Sequence, residues 1–281
     1  MKKGLILEGG AMRGLFTAGV IDVLMEHGTV FDGAIGVSAG AAFGCNYKSG
    51  QIGRVLRYNT RFCTDPRYCS LRSLIRTGDL YGRDFCYSEV PLKYDPFDFT
   101  AYEANPMEFW VVCTDIETGE AVYHQYTGWD DAGFDWIRAS ASMPLVSHIV
   151  ELDGRKLLDG GIADSIPVRF FESAGYDRNV AVLTQPAAYR KEKNRALPLI
   201  RLKYRAYPRL IETLARRHTE YNETLDYIAA QERAGKLLVI RPEAPLPVRR
   251  AERDPDRLRE AYRLGRAAAE AKLGEVAAFH K

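Results

Sequence analysis

Gly33-Ala34-Ile35-Gly36-Val37-Ser38-Ala39-Gly40 sets one serine between two glycines, directly after a short apolar strand. A small-residue run that suits a helix, Ala39 to Tyr47, follows it. This is the strand–turn–helix context of a nucleophile elbow. The turn is sharp, and glycines at 36 and 40 keep Cβ atoms away from the neighbouring backbone. The Ser38 hydroxyl is then held at the sheet edge with a helix N-terminus behind it, where it can attack an ester. The same pentapeptide also fits a Gly-rich turn whose serine caps a helix. The choice rests on the rest of the chain.

Upstream, Glu8-Gly9-Gly10-Ala11-Met12-Arg13-Gly14 follows a strand (Leu5-Ile6-Leu7) and opens an amphipathic helix from Leu15 to Glu26. Small residues there let consecutive backbone N–H groups point into a cavity, which suits a phosphate or an oxyanion. A nucleotide loop fits badly. Gly9 and Gly14 have the gap of a Walker loop, but Leu15-Phe16 replace the Lys-Ser/Thr it needs, and G-x-G-x-x-G is absent. The plainer alternative is a glycine turn that tightens strand against helix.

Downstream, Leu157-Leu158-Asp159-Gly160-Gly161 delivers an aspartate from a strand end to a Gly-Gly turn. The residues before it, Ile149 to Leu158, read as a β-hairpin with Asp153-Gly154 at its tight turn. An isolated Asp-Gly-Gly would be read as a turn carboxylate bonding its own backbone.

The three segments come in order, each at the end of an expected strand. In this the chain resembles the patatin-like phospholipases, whose pattern is a Gly-rich loop ending in Arg/Lys-Gly, then G-x-S-x-G, then Asp-Gly-Gly/Ala. The matching residues are Gly9-Gly10-Ala11-Met12-Arg13-Gly14, Gly36-Val37-Ser38-Ala39-Gly40 and Asp159-Gly160-Gly161, and Ala139-Ser140-Ala141-Ser142-Met143-Pro144 is similar to the family's small-residue stretch before the aspartate. The resemblance covers residues 4–185. It departs at Ala11, where the family often has a third glycine. If that position takes positive φ, the methyl costs on the order of 1 kcal/mol.

The resemblance implies an α/β fold: three α/β/α layers around a mainly parallel central sheet, plus a small, mostly helical C-terminal extension. It divides the chain into a catalytic domain, residues 1–186, and an extension with one short strand, residues 187–281. It implies a serine lipid acyl hydrolase working through a Ser38–Asp159 dyad, with Gly9, Gly10 and Ala11 as the oxyanion loop. Arg13, Gly14, Gly36, Gly40, Gly160 and Gly161 are then supporting residues, with Arg13 shaping the loop or orienting an anionic head group. The chemistry needs no cofactor or metal, and no acidic calcium loop is visible. None of the histidines (His27, His124, His148, His218, His280) sits in a motif calling for a base; His148 reads as a surface or strand-edge residue.

The nucleophile does not say whether water or another acceptor takes the acyl group, so an acyltransferase or thioesterase on the same dyad is an alternative. A second alternative is an inactive scaffold that binds acyl lipids, which intact Ser38 and Asp159 argue against.

The 281 residues, 46% of them hydrophobic and with a net charge of +2, suffice for one large core or a core plus a small second unit. No run of 18 apolar residues exists to span a bilayer. The first apolar stretch is only three residues long before Glu8, so it reads as a strand and not a signal peptide. Five scattered cysteines (Cys45, Cys63, Cys69, Cys86, Cys113) read as free thiols, which places the chain in the cytoplasm, with peripheral membrane contact as an option.

Residues 61–105 read as short helices forming a cap or lid. Glu108 to Tyr126 reads as a hairpin, Trp136 to Ser142 as a helix, and Asn179 to Thr184 as the strand that ends the main sheet. Beyond Pro186, helices are expected over Ile200–Arg217, Glu220–Gly235 and Asp254–Leu273, with a strand at Lys236–Pro242. Tyr189 to Thr219 holds ten Lys/Arg against Glu192 and Glu212. Such a run is usually a solvated helix face. The alternative is contact of 190–217 with an anionic membrane, with Tyr204 and Tyr207 at the interface. No nucleic-acid motif accompanies the charge.

Overall fold

The computed structural model describes residues 1–128 and 134–281. The chain opens with β1 (Lys2–Leu7), α1 (Gly14–Glu26), β2 (Gly33–Val37) and α2 (Ala39–Lys48). The cap follows: α3 (Arg54–Phe62), α4 (Leu71–Thr77), a π-helical segment (Phe85–Tyr94) and α5 (Phe99–Ala104). The chain then returns to the sheet with β3 (Glu108–Asp115), β4 (Ala121–Gln125), α6 (Asp135–Ser140), β5 (Val150–Leu152) and β6 (Arg155–Asp159). It ends with α7 (Val168–Ser173), β7 (Tyr176–Val182), α8 (Leu197–Lys203), α9 (Pro208–Arg233), β8 (Leu237–Ile240) and α10 (Pro255–Phe279).

The strand order is β5-β6-β3-β2-β1-β7-β8, with β4 also paired to β3. β1, β2, β3, β7 and β8 run parallel to one another, and β4, β5 and β6 add antiparallel pairs. The parallel strands are apolar on both faces, as a sheet covered on both sides requires. In β1, Leu5 and Leu7 pack into the core with α1, α2 and the cap, while Ile6 packs on the opposite side with residues of α7 and α9. The period of two in the strand thus produces the three layers.

β3 sets the position of the site. Val112 pairs with Val37 at the end of β2, and the next residue, Cys113, pairs with Asp159 at the end of β6. Cys113 also pairs with Val122 of β4, so β6 must lie on the flank of β3 that β2 occupies. β2 runs parallel to β3 and β6 antiparallel. Their carboxyl ends therefore meet on one flank, and Ser38 and Asp159 emerge at the junction.

Three expectations need correction. β7 does not end the sheet: β8 pairs with it in parallel, Asn179–Val182 against Leu237–Ile240, and all four β8 residues are buried. The crossover between them is the long helix α9, as a parallel connection demands. The helical region before β8 also breaks elsewhere than expected. Pro208, with no N–H to donate, starts α9, and no glycine or proline interrupts the chain near His218, so one helix runs on to Arg233. Tyr204 is buried, and its hydroxyl accepts the Leu145 N–H at 3.3 Å; it cannot lie at a membrane interface.

The segment after residue 186 closes around the sheet. α10 lies across α1 so closely that a Cβ on Gly265 would stand 1.9 Å from the Phe16 carbonyl oxygen. Asp22 links the two helices by accepting the Tyr262 hydroxyl at 2.7 Å, and Arg266 pairs with Glu26 at 2.7 Å. α10 continues to Phe279 because Gly274 weakens a helix without ending it. Both expected hairpins form, and at the second one Asp153 and Gly154 take φ of 49° and 72°.

Candidate active site

Ser38 occupies the turn between β2 and α2 with φ 55° and ψ −119°, a conformation that costs about 1–3 kcal/mol in a non-glycine residue. The flanking glycines permit it by close approach. A Cβ at position 36 would lie 2.5 Å from the Ala41 nitrogen, and one at position 40 would lie 2.2 Å from the Leu7 carbonyl oxygen. The Ser38 N–H donates to Ser140 Oγ at 2.8 Å, and Ser140 Oγ donates to the Val112 carbonyl at 2.6 Å. The strained turn is thereby tied to β3. This is the use the fold makes of the Ala139–Pro144 small-residue stretch.

Asp159 is buried, and it lines the same polar cavity as Ser38, whose side chain favours the ionised carboxylate. Its Oδ1 accepts the Gly161 N–H at 2.8 Å, inside the 3-10 turn that Gly160 and Gly161 open. Its backbone is fastened on both sides: the N–H donates to the Ser142 carbonyl at 2.8 Å, and the carbonyl accepts Thr114 Oγ1 at 2.9 Å. Burial raises the carboxyl above its ordinary range, against the opposing pull of Arg217, Ser38, Gly161 and Arg250. A carboxylate with raised proton affinity is a better base than an exposed one.

Gly9, Gly10 and Ala11 form the loop between β1 and α1. A 3-10 turn (Ala11–Arg13) follows, and Gly14 is the first residue of α1. Among the described residues, the N–H groups of Gly9, Gly10 and Ala11 have no hydrogen-bond acceptor, which leaves them available to a developing oxyanion. Ala11 takes φ 51°, so the methyl's cost applies here. Glu8 braces the loop from below: it is buried and accepts the Thr184 N–H at 2.6 Å, Thr184 Oγ1 at 3.1 Å and the Tyr221 hydroxyl.

Two cavities meet at Ser38. One, of about 100 Å³, is apolar and is walled by the cap and α2, with Phe43, Tyr58, Tyr87 and Val90 among its lining. The other, of about 70 Å³, is polar and is lined by Glu8, Arg13, Asp159, Lys191, Arg217 and Arg250 together with the glycine loop. Ala11, Ser38 and Met143 line both. The expected cap is therefore one wall of the apolar cavity. Among the described residues no histidine lines either cavity; His148 is exposed and bonds Asp79. Among the described residues no cluster of His, Cys, Asp or Glu is arranged to hold a metal ion.

Lys191, Arg217 and Arg250 are the site residues that sequence reasoning missed. Lys191 and Arg217 fall inside the recognised basic run, but nothing in the sequence marks which of its charges turn inward. Arg250 stands in a loop whose backbone carbonyl accepts the Met12 N–H at 3.5 Å and the Tyr81 hydroxyl at 3.0 Å.

A family model described as patatin-like phospholipase matches residues 5–171. The chain belongs to the patatin-like phospholipase family. A second model, a domain of unknown function (DUF6363), matches residues 207–281, the part that carries α9, β8 and α10. Protein YjjU of Escherichia coli K12 is 29% identical over 279 residues, 93% of this chain and 74% of that protein. An NTE family protein of Mycobacterium bovis is 31% identical over 182 residues, 63% of this chain and 48% of its own length. The lysophospholipase nte1 of Aspergillus niger is 29% identical over 196 residues, 64% of this chain and 12% of its own. VipD from Legionella pneumophila aligns over 95% of this chain and 67% of its own at 14% identity and a TM-score of 0.41. Family membership supports lipid hydrolase activity. Among the described residues no helix is long and apolar enough to cross a membrane.

Proposed function

We propose that this patatin-like protein is a serine acyl hydrolase that cleaves carboxylic esters of phospholipids, lysophospholipids or related acyl lipids. The observation that carries the reading is that Ser38 and Asp159 line one polar cavity, with Ser38 also lining the apolar cavity beside it. In this reading Ser38 Oγ attacks the ester carbonyl and passes its proton to Asp159. The tetrahedral oxyanion is held by N–H groups of Gly9, Gly10 and Ala11; one such donor is typically worth about 10²–10³ in rate. The intermediate collapses to an acyl-serine, and the leaving alkoxide takes the proton from Asp159. Water, deprotonated by Asp159, then releases the carboxylic acid and restores Ser38.

Intact-mass analysis after fluorophosphonate treatment tests this. The wild type is expected to gain one adduct, Ser38→Ala none, and Asp159→Ala an adduct that forms much more slowly. An unlabelled, well-folded wild type would sink the mechanism.

We also propose that the 190–217 region touches anionic membrane, now through α8 and not Tyr204. Leu199 and Leu202 are 56% and 69% exposed beside the exposed cations Arg201, Lys203 and Arg205. Apolar residues flanked by cations suit an anionic lipid surface. Co-sedimentation should rise with the anionic lipid fraction of vesicles and fall with salt and with Leu199→Ser/Leu202→Ser. Indifference to all three would remove the proposal.

A further inference from the structure

The polar cavity carries more positive charge than its own carboxylates match. Arg13, Lys191, Arg217 and Arg250 line it, against Glu8 and Asp159. Both carboxylates are already engaged, Glu8 by Thr184 and Tyr221, Asp159 by the Gly161 N–H. Other arginines of the same basic stretch are paired: Arg190 with Asp226 at 2.9 Å, Arg209 with Glu212 at 3.1 Å and Arg216 with Glu220 at 3.6 Å. The four inside make no direct ion pair among the described residues, and Arg13 Nε and Arg217 Nε are buried without an acceptor. Unmatched buried donors of like charge are costly unless an anion joins them.

We propose that this cavity is a binding site for a phosphate-type dianion, and that the substrate is an acyl ester whose alcohol part carries a phosphate monoester. This rests on the esterase reading and narrows its substrate. The cavity shares Ser38, Gly10 and Ala11 with the reacting centre, so a phosphate bound there sits on the alcohol side of the ester while the acyl chain enters the apolar cavity. A quaternary ammonium head group is disfavoured. Such groups are recognised by aromatic faces, and the one aromatic ring lining the cavity among the described residues, Tyr221, is already covered by the Lys191 ammonium at 4.1 Å. Burial and the neighbouring Arg217, Arg13 and Arg250 push Lys191 down to about 7, a crowding that a bound dianion would relieve. Three of the four cations come from beyond residue 186, which makes the C-terminal part the element that selects the head group.

Two measurements test the proposal. In the first, Ser38→Ala protein, which cannot turn over, is titrated by calorimetry with glycerol 3-phosphate, inorganic phosphate and glycerophosphocholine. Saturable binding of glycerol 3-phosphate, absent for glycerophosphocholine and weakened about tenfold or more by Lys191→Met or Arg250→Gln, is expected. Binding of inorganic phosphate alone, or equal binding of the two head groups, overturns the head-group assignment. Arg250→Gln changes an exposed side chain while leaving its anchoring carbonyl, so it guards against misfolding of the lysine variant.

In the second, wild-type kcat/KM is compared for monoacylglycerol phosphate, the same-chain monoacyl glycerophosphocholine and an uncharged p-nitrophenyl ester. A preference for the phosphate monoester of about tenfold or more is expected, shrinking in both variants. Turnover of the uncharged ester with equal rates on both head groups overturns this proposal and leaves the esterase reading intact. Specific binding in the first measurement with no turnover of any ester does the reverse.

Discussion

The two cavities that share Ser38 are built on opposite principles. The apolar one is walled by the cap and α2, with Arg54 as the one cation among its described lining, and burial pushes the Cys45 thiol up to about 12 and raises the phenols of Tyr58, Tyr68 and Tyr81. The polar one crowds four cations beside the glycine loop and holds the Lys191 ammonium down to about 7. One side is mostly hydrocarbon and aromatic, and the other gathers cations. A molecule with a hydrocarbon tail on one side of an ester and an anionic group on the other satisfies both at once. The contrast gives the proposed substrate a preferred direction, because reversed binding would leave the cations of the polar cavity unmatched.

The largest expected effect removes both sides together. Ser38→Ala and Asp159→Asn should each lower kcat by on the order of 10⁴-fold or more for every ester, head group and chain length alike. A loss confined to one substrate class would show that the dyad is not the common element. Asp159→Asn should also leave Tm unchanged or higher, since a buried carboxylate raised by desolvation opposes folding at neutral pH; a marked drop in Tm would contradict the burial argument.

The next effect should break one side only. Ala42→Phe fills the apolar cavity, and should reduce kcat/KM for long-chain esters about tenfold relative to acetyl esters without changing the head-group ratio. Combined with Arg250→Gln, the two changes should add to within about 0.5 kcal/mol, as independent sites do. A larger coupling would mean that the cavities are one site and that the comparison fails.

A third, smaller effect is in pH. Asp159 works only when ionised, and its folded pKa lies above the ordinary carboxylate value of 3.8, held back by Arg217 and Arg250. The acid limb of kcat/KM on an uncharged ester should therefore fall off above the pH of a normal aspartate. Arg250→Gln should move that limb higher still. An acid limb at the ordinary value would remove Asp159 as the base.

The smallest effect belongs to Ala11, one of the three described residues that line both cavities. Ala11 at φ 51° should tolerate glycine, and Ala11→Gly should stabilise by up to about 1 kcal/mol, read from denaturant midpoints at constant m-value. Destabilisation would show that the methyl's packing outweighs its backbone strain.

Much of the layout was legible because it is local. Ser38, the glycine loop and Asp159 each announce themselves by residue type at a strand end, and the hairpin at Asp153-Gly154 follows from turn chemistry. The C-terminal region was less legible. Arg216 and Arg217 are neighbours in the sequence, yet Arg216 pairs with Glu220 outside while Arg217 lines the cavity. One residue turns a helix by about 100°, so a count of basic residues cannot say which of two adjacent arginines faces the site. Tyr204 posed the same problem, read as an interface residue and found buried under Leu145. β8 looked like an isolated strand because its partner, β7, lies across the whole of α9.

The sequence by itself determined the α/β alternation, the sharp serine turn, the loop of free N–H groups and the aspartate at a strand end. All of these follow from backbone preferences acting over a few residues. Only the tertiary structure decided that β2 and β6 meet end to end along β3, bringing Ser38 to Asp159, and that Lys191, Arg217 and Arg250 close over the glycine loop. Those juxtapositions join residues more than a hundred positions apart. They are set by which apolar faces pack together, and no short stretch of sequence carries that information.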